Sequence, residues 1–347
     1  MTSVIEIDGS YGEGGGQILR TALSLSCLLQ KPFRIFHIRK GRKKPGLMPQ
    51  HLTCVRAAQL LSHAVVEGDH KGSTELVFSP VEVKGGDFFF DIGTAGATSL
   101  VLQTIIPSLV FLKEKSTVTL KGGTHVPFSP SFHYLEKIFA YFLKRIGIDI
   151  HLSIESYGFY PKGGGKIRAV IFPAKEPKPL KITERGSILR LSGYSCVGNL
   201  PLSIAERQKN ALVEKIYSEI HDLRCPINIE LGTVQTPGQG TFVFLRAESE
   251  NSISGFTSLG ARGKRAEAVA EEAAIEFLKY YSTGATLDPY IVDQIVLYLS
   301  LSQKKSTFTT SRITQHLLTN LWVIGLFHKF RYAIEGKLGE TGMVKIN

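Results

Sequence analysis

The apolar and polar positions of the chain fall into a pattern that recurs. An alternating stretch at residues 4–8 passes through a glycine-rich turn into an apolar helical run at 17–29. A second extended stretch, 88–92, passes through another glycine turn into a helical run at 98–112, and a third helical run covers 291–302. Each is followed by a short strand pattern (33–38, 117–120, 306–309) and then by a longer amphipathic helix (50–65, 131–146, 313–327). Strand-like segments close the units at 75–78, 149–153 and 331–334. The spacing predicts an α/β protein of three repeated units, each with two helices on one face of a small sheet.

The third unit is interrupted. Its leading strand is read at 166–172, and about a hundred residues with their own rhythm follow. That stretch carries strand patterns at 188–195, 228–231 and 241–247 and helical ones at 204–220 and 266–281. The reading is a body of 1–183 and 281–347 that carries an inserted α/β domain at 184–280.

Composition narrows the class. Apolar residues at 43% and charged residues at 20% suit a folded globular chain and exclude wholesale disorder. The opening MTSVIEIDGSYGEGGG lacks the basic and apolar regions of a signal peptide, and the apolar runs are too short to span a bilayer. A cytoplasmic protein with no membrane partner is expected. Cys27, Cys54, Cys196 and Cys225 have neither zinc nor disulfide spacing and read as reduced core thiols. The formal charge is +11, and Arg39, Lys40, Arg42, Lys43 and Lys44 cluster around Gly41. Such a run suits a solvated face or a phosphate-bearing partner.

Three glycine loops carry candidate chemistry. Gly12-Glu13-Gly14-Gly15-Gly16-Gln17 joins a strand to a helix, either as a tight turn or as an anion cradle at the helix start. Glu13 within it is a natural oxygen ligand for Mg²⁺. Gly93-Thr94-Ala95-Gly96-Ala97-Thr98 opens a second helix, and Gly158 to Gly165 lies between two strand patterns. Neither a Walker A motif nor a Lys-x-Asp-Gly ligase motif is present, so any use of ATP needs another nucleophile.

His316 is the candidate for that role. In His316-Leu317-Leu318-Thr319-Asn320, the residues three and four positions on share its helix face and can orient a ring or a bound group. A neutral imidazole can attack phosphorus, although a helical histidine can equally be a satisfied polar residue. Tyr290, Asp293 and Gln294, on the paired helix of the same unit, can face the same cleft.

Together these blocks resemble the RNA 3′-terminal phosphate cyclase family over nearly the whole chain. The matching residues run from Asp8-Gly9 through Gly12 to Arg20, then Ile38-Arg39-Lys40-Gly41-Arg42 and Lys44-Pro45-Gly46-Leu47. They continue in Gln50-His51-Leu52-Thr53, Gly93-Thr94-Ala95-Gly96 with Gln103, Gly158-Phe159-Tyr160-Pro161, Asp293-Gln294 and the His316 block. The resemblance implies three units similar to the C-terminal domain of a translation initiation factor, with an inserted, smaller thioredoxin-like domain. It implies that ATP, with Mg²⁺ or Mn²⁺, adenylylates His316, that AMP passes to an RNA 3′-terminal phosphate, and that the ribose 2′-oxygen closes a 2′,3′-cyclic phosphate.

Carried over by the resemblance, Glu13 is the metal ligand. Gln103, Pro130, Tyr290, Asp293, Gln294 and Asn320 form the ATP pocket, and Arg20, Arg39, Arg42, Gln50 and His51 hold the RNA phosphate. Two positions depart from the family pattern: Tyr157 precedes Gly158 where Arg or His is usual, and His125 follows Gly122-Gly123-Thr124 where Asp or Asn is usual. Two other readings compete. A non-catalytic RNA-binding homologue acting in ribosome assembly would lack the nucleophilic histidine. An enolpyruvyl-transferase-like enzyme, built of similar repeats, would leave the His316 block without a role.

Overall fold

The computed structural model describes residues 3–221 and 223–347. The first unit runs β1 (Ile5–Asp8), α1 (Gly16–Leu29), β2 (Phe33–Phe36), α2 (Pro49–Ser62), β3 (Val65–Glu67) and β4 (Leu76–Ser79). Its sheet has the order β1-β2-β4-β3, with β1 parallel to β2 and β4 antiparallel to both neighbours. The expected helix at 50–65 ends three residues early. His63 adopts a left-handed conformation, with φ 48°, and turns the chain so that Val65 opens a strand.

The second unit repeats this plan with β5 (Asp87–Asp91), α3 (Thr98–Leu109) and β6 (Ser116–Gly122). A second helical stretch follows, made of α4 (Phe132–Tyr134), a π-helical turn (Leu135–Phe139) and α5 (Ala140–Arg145), and then β7 (Ile150–Ser156) and β8 (Gly165–Ile171). The order β5-β6-β8-β7 has the same directions as the first sheet. This corrects the reading of 166–172 as the leading strand of the third unit. β8 pairs antiparallel with both β6 and β7, and its alternate residues Ile167, Ala169 and Ile171 are buried, so it closes the second sheet.

The third unit begins instead at β9 (Lys181–Ile182). Next come β10 (Ile188–Gly198), α6 (Ser203–Glu219), β11 (Ile227–Thr233), β12 (Gly240–Ser249), β13 (Ile253–Leu259) and α7 (Ala266–Thr283). The unit resumes with α8 (Pro289–Leu299), β14 (Ser306–Thr310), α9 (Gln315–Phe327), β15 (Tyr332–Glu335) and β16 (Gly342–Ile346), and its sheet order is β15-β16-β14-β9. Counted by position in the unit, all three sheets share one order, the first strand parallel to the second and the fourth strand inserted between second and third.

The intervening stretch makes a fourth sheet, β11-β10-β12-β13, with α6 and α7 packed together on one face. Leu191, Val243, Leu245 and Phe256 meet Leu212, Ile216, Ala270 and Phe277 in a core of their own. The other face carries Tyr194, Phe242 and Phe244 onto the second unit. There the two unusual residues lie stacked, with His125 and Tyr157 ring centroids 5.2 Å apart and His125 4.2 Å from Phe242. Those departures therefore serve packing under the fourth sheet. All four cysteines are buried and unpaired, as expected of core thiols. Among the described residues no helix is long and apolar enough to cross a membrane.

Candidate functional site

The apolar character of α1 explains its place. Ten of its residues are buried, from Gln17 to Cys27, and the helix packs against α2 of its own unit, α3 of the second and α9 of the third. Its N-terminus is therefore where all three units converge. The loop that precedes it needs glycine: Gly12 and Gly14 have φ of 57° and 59°, and a Cβ on Gly12 would sit 2.5 Å from the Thr319 hydroxyl. That hydroxyl accepts a hydrogen bond from the Glu13 backbone N–H at 3.3 Å, so the second turn of α9 lies against the glycine loop. Tyr11 at the loop entrance stacks on Trp322 of α9, centroids 3.9 Å apart.

Thr314 caps α9, accepting from the Leu317 N–H at 3.0 Å, and His316 follows as the second residue of the helix. Its half-exposed ring turns toward α1, where Nδ1 donates to Oε1 of Gln17, and the Gln17 amide nitrogen donates to the His316 carbonyl at 3.4 Å. An amide oxygen can only accept, so the neutral ring carries its proton on Nδ1 and its lone pair on Nε2. Burial, followed by the fields of Arg20 and Arg42, pushes the imidazole below its ordinary range, which keeps it neutral at pH 7. Glu13 Oε2 lies 4.0 Å from Nδ1, and the other Glu13 oxygen is ion-paired with Arg42.

One turn away, α1 and α2 meet at Gly16. A Cβ there would lie 2.3 Å from His51 Nε2 and 2.9 Å from Arg20 Nη1, so the absent side chain is what admits both groups. His51 Nδ1 accepts the Met48 N–H at 3.1 Å, which leaves Nε2 as a donor. Burial, with Arg20 and Arg39 adding to it, lowers the His51 pKa to about 3. A neutral donor beside a guanidinium is well suited to phosphate oxygens. Gln50 accepts from the Ala97 N–H at 3.3 Å and ties α2 to the second glycine loop. Arg39, itself at φ 55°, spends its guanidinium on the Lys44 and Gly46 carbonyls at 2.7 and 2.9 Å, closing the basic loop on itself. Only Nη1 is used in this way, and the Arg39 charge lies near enough to the cluster to lower the His51 pKa.

A second group of expected residues assembles where α3, α8 and α9 come together beside Thr21 of α1. Gln103 of α3 donates to Gln294 of α8, and Gln294 donates to the Tyr290 carbonyl at 2.9 Å. Asn320 bridges three helices, accepting from Thr21 at 2.7 Å and donating to the Asp293 carbonyl at 2.7 Å. The Asp293 carboxyl accepts from Thr314 at 2.7 Å, and burial raises its pKa to about 8. Tyr290 reaches across to α7, its hydroxyl donating to Glu276 at 3.2 Å. Pro130 stands apart from these contacts, next to the N-cap Ser131; Tyr134 of that helix donates to Asp288, the α8 cap, at 2.6 Å.

Glu13 is a single carboxylate. Among the described residues no three His, Cys, Asp or Glu side chains are grouped to hold a metal ion. That donor set does not make a resident metal cage. It fits a hard cation that brings phosphate oxygens with it, for which one protein carboxylate is enough. Gln17, Thr21, Thr314 and the Tyr11–Trp322 stack were not singled out from the pattern of the sequence. Of these, Gln17 and Thr21 carry a signal, as polar residues four apart on one face of a largely apolar helix.

Comparison with known proteins decides the family. The profile of the family described as RNA 3′-terminal phosphate cyclase matches residues 11–334. The chain belongs to the RNA 3′-terminal phosphate cyclase family. It is 47% identical to the RNA 3′-terminal phosphate cyclase of Sulfolobus acidocaldarius, over 96% of this chain and 97% of that one. It is 41% identical to the proteins of the same name from Pyrococcus furiosus and Methylococcus capsulatus, over 99% of this chain in each case and 98% and 97% of theirs. The cyclase family is thus matched along the repeats and the stretch between them alike, and the resemblance read from the motif blocks holds.

Proposed function

We propose that the chain is an ATP-dependent RNA 3′-terminal phosphate cyclase that works through a covalent histidine–AMP intermediate on His316. The observation that carries the reading is the His316–Gln17 pair, which holds a neutral imidazole, its Nε2 free, near Glu13, Arg42 and Arg20. Family membership and relatives named for this activity support the substrate, RNA with a 3′-terminal phosphate.

In the first step the Nε2 lone pair attacks the α-phosphorus of ATP, a P–N bond forms, and the bond to pyrophosphate breaks. The Nδ1 proton stays on the Gln17 hydrogen bond, so the imidazolium that develops is held in one orientation. In the second step an oxygen of the RNA 3′-phosphate attacks the same phosphorus and the P–N bond breaks, returning the imidazole. The terminal phosphate now bears AMP, a good leaving group. In the third, the ribose 2′-oxygen attacks the terminal phosphorus, loses its proton to solvent, and AMP departs. The nucleophile is tethered beside its target, so positioning supplies most of what this step needs.

Glu13 is the group that would hold Mg²⁺ or Mn²⁺ against the triphosphate, where the cation would offset charge on the leaving pyrophosphate. Gln103, Tyr290, Asp293 and Gln294 are assigned to the nucleoside side of α1, with Pro130 flanking, and Arg20, Arg42, Gln50 and His51 to the RNA phosphate. Arg39 is assigned to that clamp through the basic loop it shapes. The stretch 184–280 is taken as an inserted domain on the body formed by 1–183 and 281–347, and a cytoplasmic location is part of the same reading.

The test is to mix the protein and its His316→Ala variant with α-labelled ATP and a divalent cation, then denature. Acid-labile, alkali-stable label on the parent alone, transferable to RNA bearing a 3′-phosphate and not a 3′-hydroxyl, is the expected result. A parent protein that takes up no label across cations and pH overturns the reading.

A further inference from the structure

Two aromatic rings that the chemistry above does not use stand in solvent near the α3 end of the site. Phe128 is fully exposed, and Tyr160 is 69% exposed. A phenyl left wholly in water keeps both of its π-faces open to a ligand. Phe128 is also held in a left-handed conformation, with φ 63°, which a bulky side chain seldom adopts.

Both rings are carried by one substructure. The Gly158 carbonyl accepts from the Thr124 and His125 N–H groups at 2.9 and 3.1 Å, and His125 bridges Phe159, so the two loops leave a common pairing. Each then rests on the glycine loop that opens α3. Val126 packs with Ala95, Ala97 and Leu100, and a Cβ on Gly163 would lie 2.7 Å from the Ala95 Cα. That same loop is bound by Gln50, the neighbour of His51 in the phosphate clamp. A path therefore leads from the clamp, across the α3 loop, to the two rings. Lys162 is exposed on the Tyr160 loop, and the chain as a whole carries +11.

We infer that Phe128, with Tyr160 on the loop that leaves the same pairing, is a stacking platform for a nucleobase of the RNA strand whose 3′-phosphate is held at Arg20 and His51. The ligand class is single-stranded RNA, since a base must be unpaired to offer its face. Stacking of this kind accepts any base, because every base has a π-face. It fixes where the strand runs without choosing its sequence. The inference rests on the functional reading above for the identity of the strand.

The test is a cycle of two changes. Affinities of the parent, Phe128→Ala and Phe128→Trp are measured for a 3′-phosphorylated ten-nucleotide RNA and for versions with one abasic site placed at successive positions from the 3′ end. Phe128→Ala is expected to weaken the intact strand on the order of 5- to 100-fold. Phe128→Trp restores it, and the salt dependence keeps its slope because no phosphate contact is lost. At one position the abasic site costs the parent the same factor and costs Phe128→Ala almost nothing. Independent effects at every position, or a Phe128→Ala affinity equal to the parent's, overturn the platform while leaving the cyclase reading intact. A parent that does not prefer a 3′-phosphate over a 3′-hydroxyl end overturns both.

Discussion

Gln17 and His316 lie 299 residues apart in the chain and hold each other twice, ring nitrogen to amide oxygen and amide nitrogen to backbone carbonyl. The pair fixes the tautomer and the direction of Nε2 together. Gln17→Ala removes that orientation and leaves the imidazole in place. The rate of covalent AMP uptake is expected to fall at least tenfold, with kcat changed more than KM for ATP. Gln17→Glu keeps the acceptor but adds a negative charge, so it should recover part of the rate and move its acidic limb to higher pH. A Gln17→Ala enzyme that labels as fast as the parent would remove the orienting role.

The pH dependence follows from the same ring. Its folded pKa is lowered by burial and then by Arg20 and Arg42, so the neutral nucleophile persists below the ordinary histidine range of about 6.5. Uptake of AMP should fall as acid protonates the ring, with the midpoint below that value. Arg42→Ala withdraws one of the lowering charges, and the midpoint should move up in pH. Because Arg42 also pairs with Glu13, the maximal rate will drop as well; the position of the limb is the reading that counts. An unmoved limb would mean that Arg42 does not act on the ring.

Asn320 is buried at the junction of α1, α8 and α9, with both ends of its amide used. Asn320→Ala strands the Asp293 carbonyl and the Thr21 hydroxyl in that junction. The expected cost is about 1–3 kcal/mol, measured as a shift in denaturation midpoint. The double change with Thr21→Val should cost less than the sum of the two alone, since the stranded hydroxyl is then gone.

The repeat was legible because period carries it. Each unit spaces an apolar helix, a strand and an amphipathic helix alike, and α1, α3 and α8 each came within a few residues of their expected limits. Periodicity shows that a strand exists at 166–172 and not which neighbour it pairs with, and pairing puts it in the second sheet instead of the third unit. β9, the real start of the third unit, is two residues long and has no period to read. The motif residues were legible as blocks, but their contacts were not. That Arg39 would turn onto Lys44 and Gly46 depends on a loop geometry no spacing encodes, and the Tyr11–Trp322 stack joins residues at opposite ends of the chain.

Gly16 tests the close approach of α1 and α2. An alanine Cβ would fall 2.3 Å from His51 Nε2, so the imidazole, Arg20 or both must move. A helix accepts alanine readily, so the fold should survive, while crowding of the buried imidazole lowers the melting temperature somewhat. Affinity for a 3′-phosphorylated RNA end should fall about tenfold or more, while affinity for the same strand with a 3′-hydroxyl end hardly changes. Equal losses for the two strands would show that the clamp does not read the phosphate.

His51 gives the last prediction, and it concerns stability. Its folded pKa is about 3, because burial and the charges of Arg20 and Arg39 oppose protonation, whereas the unfolded chain titrates near 6.5. Between those values the unfolded state binds the proton and the folded state does not. The contribution is therefore fully present above about 6.5 and is lost progressively as pH falls toward 3. The slope from this one group is at most about 1.4 kcal/mol per pH unit. His51→Gln removes the titrating group, so its denaturation midpoint should depend less steeply on pH between 6.5 and 4 than the parent's. The difference between the two proteins isolates His51 from the other histidines that titrate in the same window. Parallel pH profiles would mean that the folded ring protonates over the same range as in the unfolded chain, and the clamp would then gain a third positive charge below about 6.5.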